Sequence, residues 1–239
     1  MIVYKRPHSF NGISFDLDDT FYDNMPYIYA AEKALNEYIN KHYPTVAKVQ
    51  KHEWQAIRQQ TLSKWPYLKN EIGEFRLKVL EKGFRHAGVH ESEILSSVAD
   101  CFAFFYRKRS DFKVPKSVSA VLDLLSKHFK LAAITNGNVD CEAIGISRHF
   151  KTIIHASKEY PMKPEPAIFL KAAQDLELKP KEILHVGDDL HKDIFGATNA
   201  GYQTAWLAVN RKMLLHRERV CILPSLQLNK LSELNVFCN

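Results

Sequence analysis

The sequence predicts an α/β fold in which a doubly wound, mostly parallel sheet carries an inserted bundle of helices. After Pro115, short apolar runs that suit buried strands alternate with helical patterns, which is typical of a parallel sheet with helices on both faces. Between residues 25 and 110, glycine is scarce and apolar residues recur at three- and four-residue spacing. That spacing indicates amphipathic helices, so this stretch differs in kind from the segment after it.

The predicted elements follow from these patterns. A first strand is predicted in residues 12–18, where apolar residues give way abruptly to acidic ones. About four helices are predicted between residues 25 and 110, and Ala30, Ala34 and Ile39 are expected on the apolar face of the first. Later elements are helix 117–128, strand 131–135, strand 152–155, helix 166–176, strand 183–187, helix 193–200 and strand 204–207. The predicted domains are an α/β core, 1–22 and 112–239, and a helical cap, 23–111.

Composition narrows the class of protein. The chain has 239 residues, of which 46% are hydrophobic and 25% charged, as is usual for a soluble globular protein. It has no apolar run of 18 residues and its polar start shows no secretion signal, so we expect neither a membrane span nor export. The four cysteines are far apart, which argues against a disulfide framework or a structural zinc site. These features favour a cytoplasmic protein.

The net charge of +6 is spread evenly along the chain. Residues 23–111 contain 14 basic and 11 acidic residues, and the remainder contains 19 and 16, so each part carries +3. The one tight basic cluster, Arg107-Lys108-Arg109, suits a solvated helix end. We therefore expect no nucleic-acid or membrane partner, whereas a small anionic substrate would benefit from mild positive charge. The oligomeric state is left open.

Polar residues able to carry chemistry follow four predicted strands, at the point where each strand ends. In open parallel sheets the ligand site lies beyond the carboxyl ends of the strands, so these residues are expected to converge in space. Each also has a purely structural alternative, such as a helix N-cap for an acid or a solvated surface position for a lysine. In chain order they are Asp16, Asp18, Asp19, Thr20, Thr135, Asn136, Lys163, Asp188, Asp189 and Asp193.

Several carboxylates in one cleft repel each other and would repel a phosphate, so the cluster makes chemical sense with a divalent cation. All-oxygen ligands favour Mg²⁺, which also binds substrate phosphate. With Mg²⁺ and Lys163 present, a carboxylate is able to attack phosphorus and form an aspartyl-phosphate. A second acid would then protonate the leaving alkoxide and later deprotonate the attacking water. The sequence therefore favours phosphoryl transfer.

These motifs resemble those of the haloacid dehalogenase (HAD) superfamily, whose core is Rossmann-like. The resemblance covers nearly the whole chain and is carried by Asp-x-Asp-x-Thr at 16–20, Thr135, Lys163 and Gly187-Asp188-Asp189. The helical insertion resembles the α-helical, C1-type cap of that superfamily. The resemblance implies that Asp16 is the nucleophile and a metal ligand, that Asp18 is the general acid/base and meets the metal through its main-chain carbonyl, and that Asp188 is the third protein ligand. The other expected roles are phosphate binding by Thr135, Asn136 and Lys163 and support of the metal shell by Asp189 and Asp193.

Three segments, 16–24, 134–138 and 183–189, look like the bacterial flavin mononucleotide (FMN) phosphatase branch, the YigB type, of the superfamily. This resemblance implies hydrolysis of FMN or of the phosphorylated ribitylamino-uracil precursor in riboflavin biosynthesis. Sugar and nucleotide phosphates stay open as substrates, because the cap is expected to select them. Most aromatic residues of the cap are expected in its core, whereas Phe21 and Tyr22 are candidates to border the substrate.

Other functions fit parts of the pattern. A dehalogenase on this scaffold needs the first acid but not one two residues later, so Asp18 favours a phosphatase. A phosphorylated receiver module places its acidic pair first and its threonine and lysine last, whereas here an acidic cluster follows Lys163. A non-catalytic protein that binds phosphorylated ligands would be expected to lack a nucleophile or a metal ligand, and none is missing.

Overall fold

The computed structural model describes residues 1–238, which form two compact units. The first contains residues 1–24, 113–137 and the described residues from 141 onward, and the second contains residues 25–112 and 138–140. No helix in the described part of the chain has the length and apolar character that a membrane crossing needs. That the helical unit acts as a cap stays a prediction.

The first unit is built on a sheet that has seven strands within residues 1–238. The strands are β1 (Ile2–Val3), β2 (Gly12–Phe15), β3 (Lys130–Thr135), β4 (Thr152–His155), β5 (Ile183–Gly187), β6 (Gln203–Trp206) and β7 (Leu226–Gln227). Their order is β1-β7-β6-β5-β2-β3-β4, and every pairing is parallel except that of β1 with β7. β2 therefore lies between β5 and β3, and the segments after these three strands begin at the same edge of the sheet.

Helices make up most of the remaining structure. They are α1 (Met25–His42), α2 (Lys51–Lys64), α3 (Ile72–His86), α4 (Glu91–Arg109), α5 (Lys116–Leu125), α6 (Pro166–Leu176) and α7 (Gly196–Asn199). A π-helical turn, Leu190–Phe195, leads directly into α7. Pro166 begins α6, where its missing N–H costs little, and Gly201 follows α7 with a φ of +87°, a conformation that favours glycine.

The central strands are buried along their length, which explains their nearly continuous apolar character. All four residues of β2 and all five of β5 are buried. The polar side chains inside this layer, Ser14 and His185, are register partners and hydrogen-bond each other. Against the other side of β2, β3 contributes Ala132 and Ile134 to a core shared with Phe169 of α6. The strand ends are thus supported by a closely packed interior.

The second unit is a helical bundle in which α1 packs on α4, α4 on α3 and α3 on α2. Gly83 of α3 allows Trp54 of α2 to approach closely, because a Cβ at this position would lie 2.0 Å from Cη2 of Trp54. The core of the bundle includes residues from α1, α3, α4 and the turn after α1: Ala31, Leu35, Ile39, Val46, Leu80, Phe84, Ile94, Val98, Cys101 and Phe105.

The predicted fold class is confirmed, since a mostly parallel sheet is flanked by helices. Strands 152–155 and 183–187 and helix 166–176 have the predicted bounds, whereas the first strand ends at Phe15, before the acids. The apolar face expected for α1 is partly wrong: Ala30 is exposed, and Leu35 is buried together with Ile39. Larger side chains bury more apolar area than alanines do, so they determine which face turns inward.

Some elements have no clear signal in the sequence. β1 and β7 are two residues long, too short to show an alternating pattern, and the 3₁₀ helix Leu231–Cys238 lacks a clear helical spacing. The helix predicted at 193–200 starts earlier, as the π-helical turn at Leu190. A single wide turn contains too few residues to be distinguished from an α-helix by periodicity.

Candidate active site

The segment after β2 forms a compact turn. The N–H groups of Thr20 and Phe21 donate to the carbonyl of Leu17 at 3.3 and 2.9 Å, and that of Asp19 donates to the carbonyl of Tyr22 at 2.8 Å. Asp19 has a φ of 61°, in the left-handed region that Asp tolerates better than most residues. Phe21 is only 2% exposed, so this candidate border of the substrate is part of the core. The turn holds the main chain that carries Asp16 and Asp18.

Lys163 orders the acid that directly follows β2. Its Nζ donates to Asp16 Oδ1 at 2.5 Å, to Asp193 Oδ1 at 2.7 Å and to the carbonyl of Ile134 at 2.9 Å. These three bonds use all three donors of the ammonium group, so a phosphate would have to replace one acceptor. Asn136 fixes the backbone of Lys163 twice, accepting from its N–H at 2.8 Å and donating to its carbonyl at 3.1 Å. Asn136 therefore positions Lys163, and Lys163 positions Asp16.

A buried chain of hydrogen bonds continues from Asp193 into the sheet. His185 Nε2 lies 3.3 Å from Asp193 Oδ1, and His185 Nδ1 lies 2.9 Å from Ser14 Oγ. Because an ionised carboxylate only accepts, Nε2 is assigned the hydrogen and Nδ1 accepts from Ser14. Asp193 Oδ2 accepts from the N–H of Asp189 at 3.0 Å. A Cβ at Gly187 would lie 2.3 Å from Cγ of Asp193, so glycine is needed for this close approach.

Asp188 follows β5 and receives three hydrogen bonds from two side chains. Arg211 donates from Nη1 to Asp188 Oδ2 at 2.7 Å and from Nη2 to its main-chain carbonyl at 2.8 Å. Trp206 Nε1 donates to the same carbonyl at 2.7 Å. Within residues 1–238, Asp188 Oδ1 accepts no hydrogen bond in this structure. One carboxylate oxygen of Asp188 is therefore left for a ligand.

The carboxylate of Asp189 serves the helical turn that follows it. Its Oδ1 accepts from the N–H groups of His191 and Lys192, both at 2.8 Å, and its Oδ2 lies 3.4 Å from Nζ of Lys192. Such bonds satisfy donors that have no partner at the start of a helix. Asp189 thus supports the segment that carries Asp193, and its side chain lies outside the acid cluster described below.

Asp18 lies beside the end of β3. The hydroxyl of Tyr22 donates to Asp18 Oδ1 at 2.7 Å. A Cβ added to Gly137 would lie 2.7 Å from Asp18 Oδ2 and 3.3 Å from Thr135 Oγ1, so these two side chains flank the same glycine. Thr135 is buried, and its hydroxyl oxygen accepts from the N–H of Gly137 at 2.9 Å. The predicted convergence of the β2 and β3 ends thus brings Asp18 and Thr135 together.

The electrostatics of the site are dominated by buried acids. Burial raises the pKa of Asp16 well above its usual value, with Lys163 opposing and the neighbouring acids adding to the rise. Burial also raises the pKa of Asp188 to about 7, with repulsion from Asp193 added and Arg211 opposing. Although burial works against it, Lys163 holds the pKa of Asp193 below its usual range. A bound cation would offset the surplus negative charge of these acids.

Three of these acids are close enough to share a metal ion. One side-chain oxygen from each of Asp16, Asp188 and Asp193 lies within 4.8 Å of the others. Asp193 already accepts hydrogen bonds from Lys163, His185 and a main-chain N–H. The other two acids each have an oxygen with little or no bonding in the described chain: Asp188 Oδ1 accepts no hydrogen bond, and Asp16 Oδ2 accepts only a long bond of 3.5 Å from Thr20. An all-carboxylate donor set fits Mg²⁺. The carboxylate of Asp18 is outside this group.

His185 and Arg211, the residues that contact the acids Asp193 and Asp188, were not identified from the sequence patterns. His185 is a polar residue inside an apolar strand, and a buried polar side chain needs a partner, so its position was a usable signal. Arg211 follows β6 by a few residues, and the rule that residues after parallel strands form the site applies there as well. Its partner Glu218 is seven residues further on, with no motif that links the two.

Comparison with known proteins decides the family. A profile of the haloacid dehalogenase-like hydrolases matches residues 10–201, which is most of the chain. The chain belongs to the haloacid dehalogenase-like hydrolases. The predictions of this family and of an enzyme are thereby confirmed, and the mostly parallel sheet agrees with them.

Relatives in this family carry different names. The chain is 30% identical over 234 residues to the 5-amino-6-(5-phospho-D-ribitylamino)uracil phosphatase YigB of Escherichia coli, with 98% of each chain covered. It is 28% identical over 201 residues to a glyceraldehyde 3-phosphate phosphatase of Pyrococcus furiosus, covering 81% of this chain and 79% of the relative. A solved structure described as a 2-haloacid dehalogenase from Pseudomonas syringae has a TM-score of 0.89 at 30% identity, covering 95% of this chain and 97% of that one.

Proposed function

We propose that this hydrolase is a Mg²⁺-dependent phosphatase that acts on small phosphate monoesters through an aspartyl-phosphate. One observation carries the proposal: a single turn after β2 supplies two acids in different surroundings. Asp16 is buried and bonded to Lys163, whereas Asp18 lies beside Thr135 and accepts from Tyr22. Two acids with separate environments suit separate roles in one reaction. The similarity to phosphatases over 98% and 81% of the chain supports the same activity.

Asp16 is the nucleophile in this proposal. Lys163 holds its Oδ1 in this structure, and one carboxylate oxygen of Asp16 attacks phosphorus while the bond from phosphorus to the ester oxygen breaks. The other carboxylate oxygen would ligate Mg²⁺. The product of this step is the aspartyl-phosphate, and the alkoxide leaves with the electron pair of the broken bond. The positive charge of Lys163 favours the ionised, nucleophilic form of Asp16 against the effect of burial.

Asp18 acts as the general acid and then as the general base. It protonates the departing alkoxide, and it later takes a proton from the water that attacks the aspartyl-phosphate and restores Asp16. The hydroxyl of Tyr22 holds Oδ1 of Asp18, and Oδ2 lies beside Gly137. Thr135, whose oxygen already accepts from Gly137, donates its hydroxyl hydrogen to a phosphoryl oxygen.

Asp16 and Asp188 are the side chains that would hold Mg²⁺, with the main-chain carbonyl of Asp18 as the expected third protein ligand. When bound, the ion supplies positive charge that offsets both the acid cluster and the phosphate. Asp193 supports this arrangement indirectly, because it binds Lys163 and is itself held by His185. Asp193 is thus assigned to the orientation of Lys163.

The proposed substrate is FMN or the phosphorylated ribitylamino-uracil precursor of riboflavin. The support is the similarity to YigB along 98% of both chains, together with the motif segments shared with that branch. A promiscuous phosphatase of sugar and nucleotide phosphates is the main alternative, and similarity to the glyceraldehyde 3-phosphate phosphatase favours keeping it. The two differ in their ranking of substrates by kcat/KM.

The test is phosphate release from p-nitrophenyl phosphate. We expect activity with Mg²⁺ and none in excess EDTA. Asp16→Asn should lower kcat by at least about 10³-fold, because the nucleophile is lost. Its cooperative unfolding should be retained, because the shape of the side chain hardly changes. Asp123→Asn, the same change at an exposed acid, is the matched control and should keep full activity. Full activity of Asp16→Asn, or of the enzyme in EDTA, would contradict the mechanism.

Two further assays separate the alternatives. In a panel of phosphate monoesters, FMN and the riboflavin precursor should rank above glyceraldehyde 3-phosphate and sugar phosphates, and a low rank for both would reject the flavin-related assignment. Halide release from 2-chloropropionate examines the dehalogenase alternative that the Pseudomonas syringae structure raises. We expect none, since that reaction leaves the acid/base Asp18 without a role.

A further inference from the structure

Arg211, which lies outside the family motifs, contacts the proposed metal ligand Asp188 at two points. It lies in the loop after β6 and is 32% exposed. Its Nη1 and Nη2 groups bond to the carboxylate Oδ2 and the main-chain carbonyl of Asp188 at 2.7 and 2.8 Å. A planar guanidinium that grips one residue at two points restricts both the side-chain rotamer and the backbone of that residue.

The guanidinium is itself held in place. Glu218 accepts from Arg211 Nε at 2.8 Å and from Nη2 at 3.4 Å, and Asn210 accepts from Nη1 at 3.0 Å. On the other side of the contact, Trp206 is fully buried and donates to the carbonyl of Asp188. Asp188 is thus fixed from both directions, and the oxygen that stays unengaged in the described chain is the one not bonded to Arg211.

A purely electrostatic role for Arg211 would oppose cation binding. A positive charge beside a metal ligand repels the metal, although Glu218 offsets much of that charge because it pairs with the same guanidinium. If charge alone mattered, removal of Arg211 would leave Glu218 unpaired and would tighten cation binding. If orientation matters more, removal would weaken binding, so the two roles predict changes of opposite sign.

We propose that Arg211, braced by Glu218, is a positioning residue that presents the Asp188 carboxylate to the divalent cation. The inference rests on the proposed function, because it presumes that Asp188 is a metal ligand. Its physical basis is that partners in the outer shell orient the groups that ligate a metal and typically change affinity by about 10–100-fold. Arg211 touches neither substrate nor metal in this role and acts only through Asp188.

The experiment is calorimetric titration of the metal-free full chain with Mg²⁺. Arg211→Met should raise the Kd for Mg²⁺ by about 10–100-fold. Arg211→Lys, which keeps the charge but loses the planar fork, should also raise it. Arg217→Met is the matched control, because Arg217 is an exposed arginine of the same loop, and it should leave the Kd within about twofold. Glu218→Gln, which keeps one acceptor oxygen but removes the charge of the brace, should raise the Kd to a smaller degree.

The outcomes separate this inference from the proposed function. If Arg211→Met binds Mg²⁺ as tightly as the unaltered protein, or more tightly, the positioning role is wrong while the proposed function stands. If the unaltered protein binds no Mg²⁺, both are wrong. A lower thermal midpoint of Arg211→Met without a change in Kd would mean that Arg211 only stabilises its loop, which also overturns the inference. Should Arg211→Met fail to fold, Arg211→Lys gives the decision, because a role through charge alone predicts an unchanged Kd for that variant and a positioning role predicts a raised one.

Discussion

The ammonium group of Lys163 contacts two carboxylates and a carbonyl, and these contacts define its role in the resting site. The sequence predicts a phosphate contact for Lys163 from its motif and its place after a strand. That prediction stays open, but the structure adds a role that no motif encodes, the orientation of Asp16. A motif identifies Lys163 as a residue of the site. It does not identify the groups to which the ammonium donates, which include the carbonyl of Ile134 in β3 and Asp193 in the turn before α7.

Gly137 sets the position of the proposed acid/base. A Cβ at Gly137 would lie 2.7 Å from Asp18 Oδ2, and the carboxylate end of Asp18 would have to move. We expect Gly137→Ala to lower kcat for p-nitrophenyl phosphate by about 10–100-fold, because a displaced acid transfers protons poorly. The free energy of unfolding should change by less than about 1 kcal/mol, since the displaced atoms are the end of a side chain.

A double variant shows whether Gly137→Ala acts through Asp18. If it does, Gly137→Ala combined with Asp18→Asn should be no slower than Asp18→Asn alone, because the second change removes what the first disturbs. Steady-state kinetics with p-nitrophenyl phosphate measure all four members of the cycle. Additive losses in kcat would mean that Gly137 acts by another route and would contradict the positional account.

Among the elements, the contact between α2 and α3 depends on one glycine. Gly83 allows the ring of Trp54 to lie against the backbone of α3, and a Cβ there would come within 2.0 Å of the ring. Glycine within a helix usually costs about 1 kcal/mol relative to alanine, so a glycine at this position indicates a packing requirement. The second unit therefore contains a close helix contact that the periodicity of α3 does not show.

Gly83→Ala should destabilise the protein by about 1–3 kcal/mol in urea denaturation, because overpacking outweighs the gain in helix propensity. Gly73→Ala is the control on the same helix, since its Cβ would meet its nearest neighbour, Phe102, at 3.6 Å, an ordinary contact. That variant should show no loss of stability. A stabilising effect of Gly83→Ala would show that Trp54 moves away at little cost.

The elements whose bounds the sequence predicts are β4, β5 and α6. β5 and α6 have the predicted bounds because an apolar run or a helical spacing extends along their whole length and turn-forming residues border it. β1 and β7 are held by pairing at the sheet edge, and a pairing between residues 2–3 and 226–227 leaves no local pattern. The place of three site residues at the sheet edge was predictable, since Asp16 and Asp188 directly follow β2 and β5 and Thr135 is the last residue of β3.

The place of Arg211 after β6 was open to the same rule, but its contacts were not predictable. The loop that contains it has no periodic pattern, and two of its partners, Asp188 and Glu218, are 23 and 7 residues away in sequence. The same holds for the pairing of Ser14 with His185, which is 171 residues apart and depends on the register of β2 and β5. Contacts of this kind follow from the assembled sheet and are not visible in a single segment.

At the scale of the whole molecule, buried histidines make stability depend on pH. His149 has a side chain that is 2% exposed, and its Nε2 has no hydrogen-bond partner within residues 1–238. Its Nδ1 lies 3.5 Å from Asp123, but burial outweighs that attraction and lowers the pKa of His149 below its usual value of 6.5. Burial also lowers the pKa of His185. At these two histidines the unfolded chain therefore binds protons near pH 6 that the folded protein does not.

Between pH 7 and 5.5 the contribution of these two histidines to the free energy of unfolding should fall as the pH is lowered, because their proton uptake favours the unfolded state, whereas the raised pKa values of Asp16 and Asp188 act in the opposite direction. The contribution of His149 to the slope is at most about 1.4 kcal/mol per pH unit. His149→Phe should remove its contribution, so that the free energy of unfolding falls less, or rises more, from pH 7 to 5.5, whereas His216→Gln, at an exposed histidine, should leave the dependence unchanged. Urea denaturation at several pH values measures the slope. An equal slope in His149→Phe would show that this histidine titrates alike in both states.

The central place of β2 in the sheet has a consequence for the order in which the protein is made. β2 leaves the ribosome early, but its neighbours β3 and β5 begin at residues 130 and 183, and Lys163 and Asp193 are also distant from it in sequence. The contacts among α1–α4, by contrast, join elements within residues 25–109. A nascent chain is able to form the bundle first, before the residues that contact Asp16 have been synthesised. The acid cluster is therefore assembled only after translation has passed residue 193, so that a chain interrupted earlier carries the nucleophile without a site around it.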